Sequence, residues 1–305
     1  MIFTACADLH LTESTPTNRK DDYLKTQLRK FEFILKMTRK KSTDNLLCIA
    51  GDLFDKPKAS YEFLSILISL IKKYKTKIYY IPGQHDLRYH NPDIHNIPIK
   101  VLESARCLHR LTGVPKKINS VSFLGSGWND SNQILYTEKG TTVYVTHTMV
   151  INNKLLFPGQ SDYTTAKQII KDYENDFIIT GDNHKEHIVK YNGRFNINCG
   201  CMLRNKKDMV NHQPYLWVIN TDKKKVKRLK IPIQPPEEVF DFGKIELEEQ
   251  RKKNKIEMDA LILSIKDNSQ KPNFIKIMEK VLKNNKPNKN VVQIINNFIE
   301  EELNA

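Results

Sequence analysis

The chain has 305 residues, of which 39% are hydrophobic, and it carries 49 Lys and Arg against 35 Asp and Glu, a formal net charge of +14. This apolar content excludes an intrinsically disordered chain, and the length allows one large domain or two ordinary ones. The positive charge favours a large anion as partner, and nucleic acid is the first class to consider.

The sequence carries no recognisable targeting or disulfide signal. Its first residues, MIFTACADLH, lack the basic start and cleavage site of a secretory signal, and its richest apolar run, 63–71, is too short to span a membrane. The five cysteines are odd in number and lack metal-finger spacing. We therefore expect a cytoplasmic protein with reduced thiols and no membrane partner. The bias toward Lys, Asn and Ile is typical of an AT-rich genome, cellular or viral. If the gene is viral, the expected location is the cytoplasm of the host.

Apolar runs alternate with amphipathic stretches through the first two thirds of the chain. The predicted order is strand 2–7, helix 23–39, strand 46–50, helix 60–74, strand 77–81, helix 97–106, strands 121–124 and 142–146, helix 165–173 and strand 176–180. Strands that alternate with helices indicate an α/β layered fold. After Gly181 the pattern becomes β, with runs at 186–191, 214–219 and 227–231.

The best domain boundary is the segment Pro232-Ile233-Gln234-Pro235-Pro236. Three prolines in five residues prevent a helix or a central strand. We predict one domain over residues 1–233 and a small helical extension over 234–305. Apolar stripes within the extension predict helices at 274–282 and 291–303.

Polar motifs follow five of the predicted strands. They are Asp8-Leu9-His10, Gly51-Asp52-Leu53-Phe54-Asp55, Gly83-Gln84-His85-Asp86, Thr146-His147 and Gly181-Asp182-Asn183-His184. Because side chains at strand ends of an α/β sheet converge, we expect these groups to form one site. Carboxylates and imidazoles without thiolates suit Mn²⁺, Mg²⁺, Fe²⁺ or Zn²⁺, and two such ions stabilise the charge that develops on a phosphoryl group. The motifs therefore predict a metal site that acts on a phosphate ester.

In order, spacing and strand context, these motifs resemble the calcineurin-like metallophosphoesterase superfamily, whose pattern is D-x-H, G-D-x-x-D, G-N-H-D or G-N-H-E, a lone His and G-H-x-H. The resemblance implies a four-layer α/β/β/α sandwich that hydrolyses phosphoesters with two metal ions. It assigns Asp8, His10 and His184 to the first ion, Asp52 to a bridge, and Gln84, His147 and Asp182 to the second ion. It also implies that His85 contacts the scissile phosphate and protonates the leaving oxygen, oriented by Asp86.

Two departures from the superfamily pattern fall on the second ion. Gln84 replaces an Asn, which keeps the amide oxygen but lengthens the side chain by one methylene. Asp182 replaces a His, and its hard anionic oxygen shifts the preference toward Mn²⁺ or Mg²⁺ over Zn²⁺. The second site is therefore expected to be weaker or differently populated.

Within the superfamily, the segments DLHL, GDLFD, PGQHD and THTM most resemble the SbcD-type nuclease subunit of double-strand-break repair. That resemblance implies Mn²⁺-dependent exonuclease and endonuclease activity on DNA ends and hairpins in repair or recombination, with Mg²⁺ as a second candidate ion. It also implies an SbcC-type coiled-coil ATPase as partner. The net charge of +14 agrees, and the basic loops 88–90, 116–117 and 204–207 are candidate phosphate contacts.

The same resemblance implies protein interfaces. Helix 60–74 is apolar around nearly its whole circumference, more than one sheet-facing stripe requires. The corresponding helix of the repair nucleases forms a dimer interface, which implies a homodimer through Leu64, Ile68, Ile71 and the helix near Val101; an unusually buried core helix explains the pattern equally well. In the extension, the residues expected to face the ATPase are Phe274, Ile277, Val281, Ile294, Ile295 and Phe298, and packing of the two helices against each other is the alternative.

Two other functions stay open from the sequence. The first is a phosphatase or small-molecule phosphodiesterase of the same fold. The second is a DNA-end-binding regulatory subunit whose altered second metal site no longer cleaves. Activity on a nitrophenyl phosphodiester without activity on DNA ends would favour the first, and DNA binding without cleavage would favour the second.

Overall fold

A computed structural model describes the chain over most of its length. The described residues are 1–91, 95–130, 140–204, 209–268, 282–284 and 287–303. They divide into two compact units, Met1–Phe240 and Asp241–Ala305. No helix among them is both long enough and apolar enough to cross a membrane.

Strands and helices alternate through most of the first unit. In chain order the elements are β1 (Ile2–Cys6), α1 (Tyr23–Lys41), β2 (Leu46–Ala50), α2 (Tyr61–Tyr74), β3 (Lys77–Ile81), α3 (Pro98–Ser104), β4 (Leu108–Arg110), β5 (Lys116–Ile118), β6 (Val121–Ser126), β7 (Thr141–His147), β8 (Val150–Ile151), β9 (Thr164–Thr165), α4 (Ala166–Asp172), β10 (Phe177–Gly181), β11 (His187–Tyr191), β12 (Arg194–Asn198), β13 (Tyr215–Asn220), β14 (Lys225–Lys230), α5 (Pro236–Val239), α6 (Phe242–Asn268) and α7 (Lys289–Leu303). Short 3-10 turns at Gln84–Asp86 and Arg88–His90 follow β3.

Two six-stranded sheets form the centre of the first unit. The strand order is β14-β13-β1-β2-β3-β4 in one sheet and β11-β12-β10-β7-β6-β5 in the other. Strands β1 to β4 are mutually parallel, as are β6, β7, β10 and β12, and the remaining strands add antiparallel at the edges. The carboxyl ends of the parallel strands are therefore free to carry a site.

Three apolar clusters separate these layers. One contains inward-facing residues of both sheets, such as Phe3, Phe123 and Trp217. A second joins the outer face of the first sheet to α1, α2 and α3, and a third joins the outer face of the second sheet to α4. The unit is thus an α/β/β/α sandwich, which confirms the predicted fold class.

The first unit ends after Phe240 rather than after Ile233, the residue predicted from the proline cluster. The prolines do end the last strand, but the chain then forms α5 and buries Val239 and Phe240 completely. Arg19 holds this segment, since it pairs with Phe240 in an isolated bridge and lies over its ring. Apolar burial therefore extends the unit past the prolines.

The second unit differs from the predicted extension. Residues 242–268, for which no helix was predicted, form α6, and α7 covers the predicted helix at 291–303. Within the unit the Asn288 side chain accepts from the Val291 N–H at the start of α7 and donates to Asn254 of α6 at 2.6 Å. The predicted helix 274–282 lies almost wholly outside the described residues, as do Phe274, Ile277, Val281 and the Phe298 side chain.

Helix α2 is largely covered by its own chain. Leu64 and Ile71 are buried in the cluster that α2 shares with α1 and α3, whereas Ile68 is partly buried and Val101 is exposed. The apolar surplus of this helix is therefore used mainly within the first unit. Leu64 and Ile71 are not available as surface contacts, and the homodimer stays a prediction that rests on Ile68 and Val101.

Candidate metal centre

Loops at the ends of five parallel strands bring the predicted side chains together. Those side chains are Asp8 and His10 after β1, Asp52 after β2, Gln84 and His85 after β3, His147 at the end of β7, and Asp182 and His184 after β10. Both sheets therefore contribute to one centre. This position follows from the sequence because each apolar strand ends directly before its polar loop, and the role of these residues as ligands stays a prediction.

The ligand atoms form three overlapping groups. Within each group every candidate atom lies within 4.8 Å of the others; the groups are Asp8-His10-His184, Asp8-Asp52-His147 and His10-Asp52-His85. The Nε2 atoms of His10 and His184 face each other at 3.1 Å. Asp52 Oδ2 lies 3.8 Å from His10 Nε2 and 3.4 Å from His147 Nε2, so this carboxylate stands between two clusters, as a bridging ligand must.

Four buried atoms of the candidate ligands have no hydrogen-bond partner among the described residues. They are Asp8 Oδ2, His10 Nδ1, Gln84 Oε1 and His147 Nε2. A buried polar atom without a partner costs about 1–3 kcal/mol, so four in one place require a compensating group. All four are carboxylate, amide or imidazole atoms, the oxygen and nitrogen types that bind divalent cations. The donor set therefore fits a metal ion.

Hydrogen bonds from the surrounding backbone orient two of the ligands. His147 Nδ1 donates to the carbonyl of Ala50 at 2.8 Å, which leaves Nε2 as the nitrogen facing Asp52. Asp8 Oδ1 accepts from the Asp182 N–H at 3.1 Å, which leaves Oδ2 for a ligand. Bonds of this kind from outside the centre fix the tautomer and direction of metal ligands.

The backbone of the centre is left-handed at four ligands. The φ angles are 50° at Asp8, 45° at His10, 49° at Asp52 and 75° at Asp182. A non-glycine residue in this region costs about 1–2 kcal/mol, so the surrounding structure must impose it. Hydrogen bonds between loops do so: the His10 N–H donates to the Asp52 carbonyl at 3.0 Å and the Asp8 N–H to the Gly51 carbonyl at 3.1 Å.

Two glycines allow the loops to approach. A Cβ on Gly51, whose φ is 88°, would overlap the His147 ring. A Cβ on Gly83 would overlap the carboxylate and backbone of Asp52. Larger residues at either position would push apart the strands that carry the ligands.

Electrostatics make the centre receptive to positive charge. Burial raises the pKa of Asp8 to about 8, with Asp52 adding to the effect and His147 opposing it. Burial lowers the pKa of His10 to about 3. Burial also disfavours a charged His147, but Asp52 and Asp8 outweigh it and raise the His147 pKa to about 10. Protons on Asp8 and His147 thus occupy the place where a cation would neutralise the carboxylates.

The two residues that depart from the superfamily pattern contact each other. Gln84 Nε2 donates to Asp182 Oδ1 at 3.2 Å, which leaves Gln84 Oε1 without a partner. Asp182 is not in any of the three groups above, whereas His147 is. Of the predicted second set, Gln84 and Asp182 are therefore hydrogen-bonded to each other, and His147 is grouped with Asp8 and Asp52.

The profile of the calcineurin-like phosphoesterase family matches residues 1–186, which include all the candidate ligands from Asp8 to His184. The chain belongs to this family. Family membership and the ligand clusters together identify a phosphoester hydrolase that uses divalent metal ions. A search of the curated proteins gives no match.

Several solved structures align with the chain at low identity. The protein TT1561 of Thermus thermophilus aligns with 11% identity over 76% of this chain and 99% of its own, with a TM-score of 0.49. An archaeal phosphodiesterase aligns with 14% identity over 75% and 99%, with a TM-score of 0.42. A phosphopantetheinyl hydrolase of Mycobacterium tuberculosis aligns with 13% identity over 74% and 95%, with a TM-score of 0.42. These likenesses are too remote to add to the family assignment.

His85 is the exposed histidine of the phosphoesterase centre. Its backbone N–H donates to Asp52 Oδ1 at 2.9 Å, and its ring contacts the His10 ring edge-on with centroids 4.9 Å apart. Its Nδ1 lies 2.9 Å from the carbonyl of Asp55. With Nδ1 donating to that carbonyl, Nε2 is the nitrogen left to face a substrate.

Asp86 has contacts that differ from the orienting role implied for it. Its buried carboxylate accepts from the N–H groups of Gly83, Phe54 and Leu53, and the ring of His85 is held by Asp55 instead. Asp86 thus joins the loops after β2 and β3. Burial and the nearby charge of Asp52 raise the pKa of Asp86 to about 7.

Buried asparagines also position the phosphoesterase loops, and motif analysis missed them. Asn198 Nδ2 donates to the carbonyls of Asn183 and Lys185 at 2.6 and 2.9 Å. Asn183 Nδ2 donates in turn to the carbonyl of Val150 at 2.7 Å. These bonds fix the loop that carries Asp182 and His184. Asn198 lies on β12, one strand away from the motif, so no local pattern indicates it.

In the predicted basic loop 204–207, the first residue is not at the surface. Arg204, predicted as a phosphate contact, is buried and donates to the backbone carbonyls of Val210 and Gln234. Residues 205–207 of the same loop lie outside the described residues. Lys116 and Lys117 are exposed on β5, and their contact with phosphate stays a prediction.

Proposed function

We propose that this phosphoesterase is a DNA nuclease that cleaves phosphodiester bonds at DNA ends and hairpins. The observation that carries the proposal is a groove of about 380 Å³ beside His85. Its lining includes Lys56, Tyr89 and His90 together with Gln84 of the metal centre. A substrate that extends from the centre along this groove is larger than a simple phosphate monoester.

The groove has the chemistry of a polynucleotide contact. Tyr89 is 88% exposed, which is unusual for an aromatic side chain, and Lys56 is an exposed cation nearby. His90 contacts Trp128 edge-on with centroids 4.9 Å apart. Exposed aromatic rings stack on bases, and cations contact phosphates. The net charge of +14 supports the same class of substrate.

Residues of the centre have distinct roles in this reaction. Asp8, His10, Asp52 and His184 would hold one divalent ion, and Gln84, His147 and Asp182, with Asp52 shared, would hold the other. Such ions, when bound, lower the pKa of water and stabilise negative charge on the phosphoryl group. His85, with Nδ1 held by the Asp55 carbonyl, presents Nε2 to protonate the leaving oxygen. The oxygens of Gln84 and Asp182 favour Mn²⁺, with Mg²⁺ next.

Protein partners form a second part of the proposal. Apolar side chains are exposed along the second unit at Leu247, Ile256, Leu263 and Ile294, whereas Ile295 is buried. A coiled-coil ATPase of the SbcC type would cover such residues. Replacing Ile256 and Leu263 by Asp should abolish co-elution with the ATPase without changing metal-dependent cleavage. For the homodimer, Ile68→Glu should shift the sedimentation coefficient to that of a monomer.

The decisive experiment is digestion of linear, hairpin and circular DNA by the chain in Mn²⁺, Mg²⁺ and EDTA. We expect cleavage of the linear and hairpin substrates in Mn²⁺, none in EDTA, and loss of cleavage in His85→Asn. Rapid hydrolysis of a nitrophenyl phosphodiester with intact DNA would instead identify a small-substrate phosphodiesterase.

A third outcome distinguishes a regulatory subunit. The hydrogen bond from Gln84 Nε2 uses one carboxylate oxygen of Asp182, Oδ1, which is then less available as a ligand of the second ion. DNA binding without cleavage in any metal, together with binding of one Mn²⁺ per chain rather than two, would show that this set does not hold an ion.

A further inference from the structure

A cavity of about 290 Å³ lies outside the metal centre, between α1 and the segment that follows β14. Its lining includes three cations and three apolar side chains: Arg29, Lys30, Arg204, Phe33, Pro232 and Ile233. We call it the basic cavity. None of these residues is a candidate metal ligand, and no carboxylate is among the described residues that line the cavity. Its volume is at the lower end of the range of small-molecule pockets.

Positive charge is buried beside this cavity in excess of negative charge. Arg19, Lys30 and Arg204 are 4%, 5% and 2% exposed. Asp21 pairs with Arg19, accepting from its Nε and Nη2 at 2.8 Å each. Among the described residues, no carboxylate lies within ion-pair distance of Lys30 or Arg204. Within the part of the chain that the structure describes, these two buried cations therefore have no paired carboxylate.

Backbone carbonyls satisfy these two cations only in part. Lys30 Nζ donates to the Met202 carbonyl at 3.1 Å, which uses one of its three hydrogens. Arg204 donates through Nη1 and Nη2 to Val210 and Gln234, and its buried Nε has no partner among the described residues. Carbonyl dipoles do not neutralise a charge, and a buried charge without a counterion costs several kcal/mol.

The position of the groups indicates what would supply the missing negative charge. Thr26, Arg29, Lys30 and Phe33 follow one another at helical spacing on a single face of α1, and all four line the cavity. Arg29 donates to Thr26 Oγ1 at 3.2 Å. Because Arg29 is exposed, a ligand from solution can reach its guanidinium group. A dianion matches two uncompensated cations, and arginine and lysine donors suit phosphate oxygens.

We infer that the basic cavity binds a small organic phosphate, with the phosphate at Arg29 and Lys30 and an apolar or planar body against Phe33 and Ile233. The site is separate from the metal centre, so binding requires no divalent ion. Free phosphate shares the anionic part of this chemistry but lacks the body. A nucleoside monophosphate has both parts.

The test is isothermal titration calorimetry of the full chain in EDTA, with adenosine 5′-monophosphate and inorganic phosphate as probes. We expect one nucleotide per chain, bound more tightly than phosphate. Lys30→Met should weaken nucleotide binding about 10- to 100-fold, the loss expected for a charged hydrogen bond. Lys36→Met, which removes an exposed lysine of the same helix, should leave the affinity unchanged.

Two further variants separate the parts of the inference. Arg29→Gln removes an exposed cation and should weaken both probes even if Lys30→Met does not fold. Phe33→Leu should weaken the nucleotide but not phosphate. A folded Lys30→Met with wild-type affinity, or no binding to the wild type, would overturn the site. Equal affinity of the two probes would overturn the contact with the apolar side chains.

Discussion

Lys30 should make the stability of the metal-free protein depend on pH. Burial is the main cause that lowers its pKa from 10.5 to about 7; the charges of Arg204 and Arg19 contribute to this lowering, and Cys201 and Asp21 oppose it. At about 1.4 kcal/mol per pKa unit, this shift corresponds to about 5 kcal/mol of destabilisation. Replacing Lys30 by Met removes the buried charge while keeping most of the side-chain volume.

The sign of the effect follows from proton binding. Below pH 7 both the folded and the unfolded chain carry the Lys30 proton, and the cost is present in full. Between pH 7 and pH 10.5 only the unfolded chain holds it, so wild-type stability rises with pH. Above that range the folded and unfolded states are both neutral and the cost is gone.

Lys30→Met should therefore be more stable than the wild type at pH 6 and lose that advantage as the pH rises. The net gain at pH 6 is about 2–4 kcal/mol, because the Met202 carbonyl loses its partner at a cost of about 1–3 kcal/mol. Urea denaturation of both proteins in EDTA, from pH 6 to pH 10, measures the difference. Asp8 and His147 titrate in both proteins and cancel. A difference that does not change with pH would refute the buried charge.

Three other predictions concern the metal centre. Mn²⁺ at about 100 times its Kd should raise the melting temperature of the metal-free protein by about 5–10 °C, and Asp52→Asn should abolish the shift in a thermal scan. Gly51→Ala should lower Mn²⁺ affinity as well as stability, because its Cβ meets the His147 ring, whereas Gly193→Ala, with φ 76° and open space, should cost only about 1–2 kcal/mol in urea. His85→Asn should keep Mn²⁺ binding by calorimetry and lower DNA cleavage by about 10²- to 10⁴-fold.

The strands that carry the centre were predictable because the information is local. Each is a short apolar run that ends at a motif of Asp, His or Gly, and parallel strands bring such ends together. The grouping of Asp8, Asp52 and His147 could therefore be expected from the sequence. It depends on where the strands end and not on how the core side chains pack.

Among the elements that were not predicted, β12 and α6 were missed for opposite reasons. On β12 the apolar Phe195 and Ile197 alternate with Asn196 and Asn198, which are fully buried and hydrogen-bonded to neighbouring strands and loops. Asparagine in sequence indicates a turn, and only the tertiary partners make it a strand residue. Helix α6 is rich in Lys and Glu, which favour helix but give no apolar stripe for periodicity to detect.

The contacts of Asp86 also could not be predicted by comparing its motif with the superfamily pattern. Its position next to His85 in the sequence implies a contact between their side chains, but the 3-10 turn at Gln84–Asp86 directs them to different neighbours. His85 is exposed at the groove, whereas Asp86 is buried and accepts three backbone N–H groups. Adjacent residues in a tight turn therefore have separate surroundings, one at the groove and one within the fold.

The left-handed backbone at the ligands has no signal in the sequence either. Asp8, His10 and Asp52 adopt it because hydrogen bonds join loops more than forty residues apart, and these bonds exist only after both strands have paired. The strain, the unpartnered ligand atoms and the raised pKa of Asp8 all lie at the same place. A divalent cation bound there would stabilise the folded state, since it pairs the unpartnered atoms and favours the ionised form of Asp8. Part of the binding free energy of that ion would then offset the cost of the strained loops that carry the ligands.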